Sequence, residues 1–361
     1  MRKPYKNGFC LGKFMPFHLG HKLMIDHGAA SSETLNVLVS GKQEDFIPLS
    51  IREEWLREQY KDDPGVNIVA MIDDVPETTY NEAGTAEDEW FWEMWIERIT
   101  KAFPGIDAVF TNDEYGDRLA KELGADWLPI DPNRTQIPIS GTEIREAPWG
   151  EQYLKLPKVV QPYYQRKVAI VGPESTGKST LARYLAEEFN NNSEAAFVRE
   201  YGRDISERRN NDLNANDFRA IIAGQQSLLK AAADQTQYVI SDTDSFTTYL
   251  YSKIYLTPRD PDLEFELLDQ ARADEFDLYI LLYPESHLWV DDGTRTMSDF
   301  PARLAFFHEM ESFLNITRRN YHVLSLGTKY DDETGGKHFN WELRNHMARN
   351  LVWTMLVENA E

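Results

Sequence analysis

Two imidazoles three residues apart, His18 and His21, follow an apolar run that ends at Gly12. At that spacing both rings can reach one set of phosphates, and hydrogen bonding to a strained α-phosphoryl group is the chemistry they suit. They stabilise charge and need not be nucleophiles. Gly12, Lys13, Phe14 and Gly20 surround them. A strand, a loop and a helix start in that order would set backbone N–H groups and the positive helix end beside a triphosphate. A second motif, Gly172-Pro173-Glu174-Ser175-Thr176-Gly177-Lys178-Ser179-Thr180, has the GxxxxGK[ST] spacing of a P-loop. There Lys178 would bridge the β- and γ-phosphates of ATP and Ser179 would ligate Mg²⁺.

Each motif has partners further along the chain. Ser140, Gly141, Thr142 and Arg145 can cap a helix, present hydroxyls and N–H groups to the β- and γ-phosphates, and add positive charge. Downstream of the P-loop, an apolar run ends in Asp242-Thr243-Asp244, and carboxylates at such a strand end suit the magnesium side of a triphosphate site. After another strand come Glu200, Tyr201, Arg203 and Asp204, at the place where an acceptor hydroxyl would be bound. Glu200 is the candidate general base, with Asp204 and Asp242 as alternatives. In the segment Trp289 to Arg295, Arg295 could neutralise a transferring phosphate and Trp289 could stack on a planar ring or pack a core. Arg52 and Trp92 are further candidates for gripping a substrate, although Trp92 belongs to an amphipathic run whose apolar face explains at least two of its three tryptophans.

The elements that must position these groups alternate between strand and helix throughout, which predicts two parallel-sheet α/β units. Strands are expected at 8–12, 35–40, 67–71 and 108–111, with helices near 20–30, 50–60 and 87–101. The alternation restarts at 167. Between the halves, 147–166 holds Pro148, Pro157, Pro162 and several tyrosines, so the domains are set at 1–150 and 167–361 with a semi-rigid linker at 151–166. At 361 residues each half can bury its own core. With 60 acidic against 38 basic residues, a net charge of −22, nonspecific binding to nucleic acid or an anionic membrane is excluded as an expectation. The single cysteine, Cys10, gives no disulfide framework and suits a cytoplasmic protein. No run is long and apolar enough for a membrane span, and no secretory leader is expected. A homo-oligomer is compatible with all of this.

Taken together, these segments carry a resemblance that spans nearly the whole chain. Residues 12–21, GKFMPFHLGH, resemble the HxGH nucleotidyltransferases, and ISGTEIR at 139–145 resembles their ISSTxIR segment, with Gly141 in place of a serine. With DPNRTQIPISGTEIRE at 131–146, GPESTGKST at 172–180, EYGRD at 200–204, DTD at 242–244 and WVDDGTR at 289–295, the chain resembles the NadR family. The resemblance implies a Rossmann-like nucleotidyltransferase domain followed by a P-loop kinase domain. It further implies phosphorylation of ribosylnicotinamide by Mg-ATP, then adenylylation of the resulting nicotinamide mononucleotide by a second ATP to give NAD and pyrophosphate. His18, His21, Lys13 and Arg145 would stabilise the charge of adenylyl transfer. Some members carry an N-terminal helix-turn-helix module; here the first strand starts within about ten residues of Met1, so none is expected and nucleic acid is not an implied partner. None of the phosphate motifs reads a base. Another nucleoside or a cytidylyl transfer, or one domain serving as a nucleotide sensor, therefore remains a rival reading.

Overall fold

A computed structural model describes residues 3–76, 78, 86–189, 197–286, 288–290, 296–330 and 337–358. The chain divides into two compact units, 1–164 and 165–361. In the first, strands β1 (Tyr5–Gly12), β2 (Ser32–Gly41), β3 (Val66–Ile72), β4 (Ala108–Val109) and β5 (Asp126–Trp127) alternate with helices α1 (Leu19–Ser31), α2 (Leu49–Gln59), α3 (Glu89–Ala102), α4 (Tyr115–Leu123) and α5 (Gly141–Glu146). The strands form one parallel sheet in the order β3-β2-β1-β4-β5. Strand order reverses at β1, and the crevice outside the carboxyl ends of strands flanking such a point is where open α/β sheets take ligands.

The stretch read as a linker, 151–166, does not stand apart. Its short helices α6 (Glu151–Leu154) and α7 (Gln161–Tyr164) bury Tyr153, Leu156, Val160 and Tyr164 in the core around Phe17, Trp55 and Ile144. Prolines ended the regular pattern there, but the apolar residues between them had a core to join.

The second unit comprises β6 (Arg166–Val171), α8 (Lys178–Phe189), β7 (Phe197–Val198), α9 (Tyr201–Arg209), α10 (Ala215–Ala233), β8 (Tyr238–Ser241), α11 (Ser245–Tyr255), α12 (Pro261–Ala273), β9 (Leu278–Leu282), α13 (Phe300–Ile316), β10 (Tyr321–Leu324), β11 (Gly327–Tyr330), β12 (Lys337–Asn340) and α14 (Trp341–Glu358). Its main sheet is parallel in the order β10-β9-β6-β8-β7, and β11 pairs with β12 antiparallel. Interior β9, Leu-Tyr-Ile-Leu-Leu, is buried at every position, as a parallel strand covered by helices on both faces requires. Register places Val171, the last residue before the P-loop, beside Leu281, while Ser241 pairs with Val198. The carboxyl ends of β6, β7 and β8 thus open on one side. Among the described residues no helix is long and apolar enough to cross a membrane.

Candidate active sites

The histidine motif folds into the end of β1. Phe14 takes a left-handed φ of 49° and is buried, which turns the chain into α1. His18 caps α1, its Nδ1 accepting from the His21 N–H at 3.3 Å. Because Nδ1 is the acceptor, Nε2 carries the proton of the neutral ring. The two imidazoles stack with centroids 3.6 Å apart. A Cβ at position 20 would lie 3.1 Å from the His18 ring, so Gly20 leaves that ring its place. Burial, then the Arg134 charge, pushes the His18 pKa down to about 4, against the opposing pull of Glu143. His21 is lowered well below its usual value by burial, by His18 and by Arg134. Both are neutral at pH 7, and the His21 ring donates to the Pro16 carbonyl.

These rings open on a cavity of about 560 Å³ that also receives Gly12, Lys13, Phe14, Trp92, Ser140, Gly141, Thr142 and Arg145. Ser140 forms a capping box with Glu143, accepting from the Glu143 N–H at 3.2 Å while Glu143 Oε2 accepts from the Ser140 N–H at 2.7 Å. Arg145 donates to the Met15 carbonyl and, at 2.9 Å, to Thr142 Oγ1, which ties α5 to the histidine loop. The glycine at 141 has a steric reason, since a Cβ there would sit 2.9 Å from the Met15 oxygen. Trp92 is buried and donates through Nε1 to the Ala86 carbonyl at 2.9 Å, with the Arg118 guanidinium 4.6 Å from its ring; with Phe91 and Trp95 it makes the aromatic wall of the cavity. Its apolar-face role and its place at the cavity coincide.

Arg52 is a correction. It is fully buried, does not line the cavity, and donates to Lys13 O at 2.7 Å, Ser40 O at 3.2 Å and Asp45 Oδ2 at 2.8 Å. Its guanidinium is spent holding the ends of β1 and β2 together, so it braces the histidine loop from behind rather than gripping a substrate.

In the second unit the P-loop leaves β6 with Gly172 at φ 139°, Ser175 at 61° and Gly177 at 82°. A Cβ at Gly172 would lie 2.7 Å from the Leu282 oxygen, and one at Gly177 2.7 Å from the Trp341 ring. Thr176 is buried, donating to the Pro173 carbonyl at 3.0 Å and accepting from Arg344 at 2.6 Å through its own carbonyl. Lys178 donates to the Pro173 carbonyl at 3.0 Å. Glu174 Oε2 accepts from the N–H groups of Thr296 and Met297, at 3.0 and 2.9 Å, and Ser175 Oγ meets the Val290 backbone at 3.2 Å.

A cavity of about 420 Å³ gathers Glu174, Ser175, Gly177, Lys178, Ser179, Thr180, Glu200, Arg203, Asp204 and Asp242. Asp242 hydrogen-bonds with the Ser179 hydroxyl, and its buried Oδ1 has no partner. Burial first, then Glu200, raises its pKa to about 6 against the opposing pull of Lys178 and Ser179. Asp204 takes an ion pair from Arg199.

Three expectations part from the geometry here. Asp244 is the N-cap of α11, accepting from the Thr247 N–H at 2.9 Å and Oγ1 at 2.6 Å, so it is consumed by the helix start and does not face the cavity. Tyr201 donates its N–H to Gln225 at 2.9 Å and lays its ring over Gly224, away from the cavity. Trp289 packs on the core with Arg303 5.6 Å from its ring. Arg295 lies outside the described residues.

The sequence reading missed Asn112, Asp113, Asp131 and Arg134 in the first cavity and Arg183, Tyr251 and Tyr255 in the second. Asn112 and Asp113 follow directly on the strand expected at 108–111, where ligand contacts are to be looked for. Tyr251 and Tyr255 sit at i and i+4 on α11, on one helix face.

Comparison with known proteins agrees in extent. Residues 167–331 match a family described as an AAA domain. The trifunctional NAD biosynthesis/regulator protein NadR of Escherichia coli (strain K12) is 31% identical over 323 residues, covering 83% of this chain and 74% of its own length. The protein of the same description from Salmonella typhimurium (strain LT2) is 32% identical over 328 residues, covering 84% and 75%. A crystal structure of NadR protein in complex with NR superposes with a TM-score of 0.63 at 26% identity, over 99% of this chain and 98% of that one. Another, in complex with NAD and AMP-PNP, gives 0.64 at 24% identity over 98% and 97%. Identity at that level across most of both chains, with two phosphate motifs each folded into its own cavity, places this chain in the NadR family.

Proposed function

We propose that this chain carries out two ATP-dependent steps of NAD synthesis, phosphorylating ribosylnicotinamide and adenylylating nicotinamide mononucleotide. The observation that carries the reading is the presence of two separate cavities, each built around one phosphate motif. The first unit, a Rossmann-like nucleotidyltransferase domain on this reading, takes ATP along Lys13, His18, His21 and the Ser140 to Arg145 segment, with the mononucleotide ring against the Trp92 wall. The mononucleotide phosphate attacks the α-phosphorus and pyrophosphate departs. Neutral imidazoles suit this step, because a His18 Nε2–H donates to the phosphoryl oxygen with no proton transfer needed.

In the second unit, a P-loop kinase domain, Lys178 and the loop N–H groups hold the triphosphate while Glu200 receives the proton of the ribosyl 5′-hydroxyl. The donor set fits Mg²⁺: a hydroxyl from Ser179 and an unpartnered carboxylate oxygen of Asp242 are hard oxygen ligands that leave positions for phosphate and water. Ser179 and Asp242 would hold Mg²⁺ where it would supply neutralisation of phosphate charge. Arg203 and Asp204 frame the acceptor side.

Product analysis tests the reading: purified protein is given ATP and Mg²⁺ with either ribosylnicotinamide or nicotinamide mononucleotide. NAD from both supports it. NAD from the mononucleotide alone would remove the kinase assignment, and no product from either would remove both.

A further inference from the structure

The cationic groups of the first cavity are unequal. Arg145 is tied to Met15 and Thr142, and both histidines are neutral. Lys13 and Arg134 differ: both are exposed at the cavity wall, and among the described residues neither side chain makes a hydrogen bond or ion pair, but only Arg134 offers a two-pronged guanidinium. Its charge nevertheless bears on His18, His21, Asp113 and Glu143, groups from separate segments of the unit. With His18, His21 and Asp113 it lines one cavity.

Its backbone is held there. Arg134 has a left-handed φ of 51°, an arrangement a non-glycine residue keeps only when its surroundings enforce it. The enforcing group is Asp131, which is buried and accepts from the N–H groups of Thr135, Gln136 and Ile137 at 2.8, 3.0 and 3.1 Å and from Thr135 Oγ1 at 3.1 Å. From behind, the Asn112 side-chain oxygen accepts from the Asp131 N–H at 2.8 Å. An unpartnered arginine on a turn knotted this tightly is set in advance for an anion.

We propose that Arg134 binds the β- and γ-phosphates of ATP and takes up charge on the departing pyrophosphate, and that Asp131 is the positioning residue that fixes its turn. The proposal rests on the adenylyl-transfer reading of this cavity. As the new bond forms from the mononucleotide oxygen to the α-phosphorus, the bond from that phosphorus to the α,β-bridging oxygen breaks and its electron pair leaves with pyrophosphate. A cation there stabilises the leaving group. Arg134 shares the cavity wall with His18, Ser140, Thr142 and Arg145, the groups assigned to the triphosphate, and its turn runs directly into the Ser140 to Arg145 segment, so its ligand is the triphosphate tail.

The test uses the full chain, with the kinase reaction as an internal control. Arg134→Ala should lower kcat/KM for ATP in adenylyl transfer by about 100-fold and raise KM for pyrophosphate in the reverse reaction, with KM for the mononucleotide and the kinase rate unchanged. Arg134→Lys, which keeps the charge but loses the two-pronged contact, should recover part of the loss. Asp131→Asn should raise KM for pyrophosphate in the same direction, a change that a purely structural role would not produce selectively. Unchanged KM for ATP and pyrophosphate in Arg134→Ala, or an effect confined to KM for the mononucleotide, would overturn the proposal. A wild-type protein that makes no dinucleotide from the mononucleotide would overturn the reading beneath it, a result separable from either.

Discussion

Replacing Asp242 by Asn should make the second unit more stable while disabling its chemistry. The carboxyl group is 3% exposed, and its pKa rises from 3.8 to about 6 in the fold. A folded-state value above the unfolded one means that the native state binds the proton more tightly, so the stability is fully present below pH 3.8 and is lost as pH rises through 6. The shift of roughly two units corresponds to about 3 kcal/mol at pH 7.5. That figure is already net of the help from Lys178 and Ser179, which pull the other way. Asn keeps the shape and carries no charge to desolvate. Urea unfolding of the full chain, followed by hydrogen exchange at the amides of β6 and β8, should show a gain of about 2–3 kcal/mol at pH 7.5 that disappears near pH 4. Kinase activity should fall at least about 100-fold while adenylyl transfer stays at the wild-type rate. An Asn variant no more stable than wild type at pH 7.5, or one whose advantage is the same at both pH values, would refute the argument.

The first unit should respond to acid in the opposite sense. His18 is lowered from 6.5 to about 4, so its contribution is present above pH 6.5 and is lost as pH falls towards 4, a swing of about 3 kcal/mol; the urea midpoint of this unit should drop across that window, and His18→Asn should flatten the slope. Arg52→Met would strand the buried Lys13 and Ser40 carbonyls and the Asp45 carboxylate, destabilising the first unit by about 3–5 kcal/mol. Urea unfolding should show that loss with kinase activity intact, and a variant of wild-type stability would show that the brace is dispensable.

What could be read in the sequence was what depends on local pattern. Phosphate loops announce themselves because glycine, lysine and hydroxyl positions must be fixed within a few residues, and the apolar runs before them are the central parallel strands. Residues whose role is set by a distant partner were harder. Arg52 sits at a helix start after a polar loop, which resembles a substrate contact; only the fold brings Lys13 and Ser40 to its guanidinium. Asp242 and Asp244 are equivalent in sequence, yet two residues further along the turn the carboxylate meets the Thr247 N–H instead of Ser179. Arg134 lay within a segment already singled out, but nothing local marks an arginine that finds no partner. The 151–166 stretch was read as a packed, semi-rigid linker, and what the sequence left open was which core its residues join, because prolines interrupt periodicity without naming the partner; up to Tyr164 they join the first.

The phosphate loop of the second unit has a second attachment. Glu174 and Ser175 hold the backbone at Thr296, Met297 and Val290 through hydrogen bonds that have nothing to do with nucleotide. Any displacement of these two residues on loading with triphosphate is passed to those peptide groups, and by reciprocity a ligand that shifts those groups alters the grip on phosphate by the same free energy. A variant at Glu174 should therefore be judged by what it does to these peptide groups as well as to the grip on nucleotide.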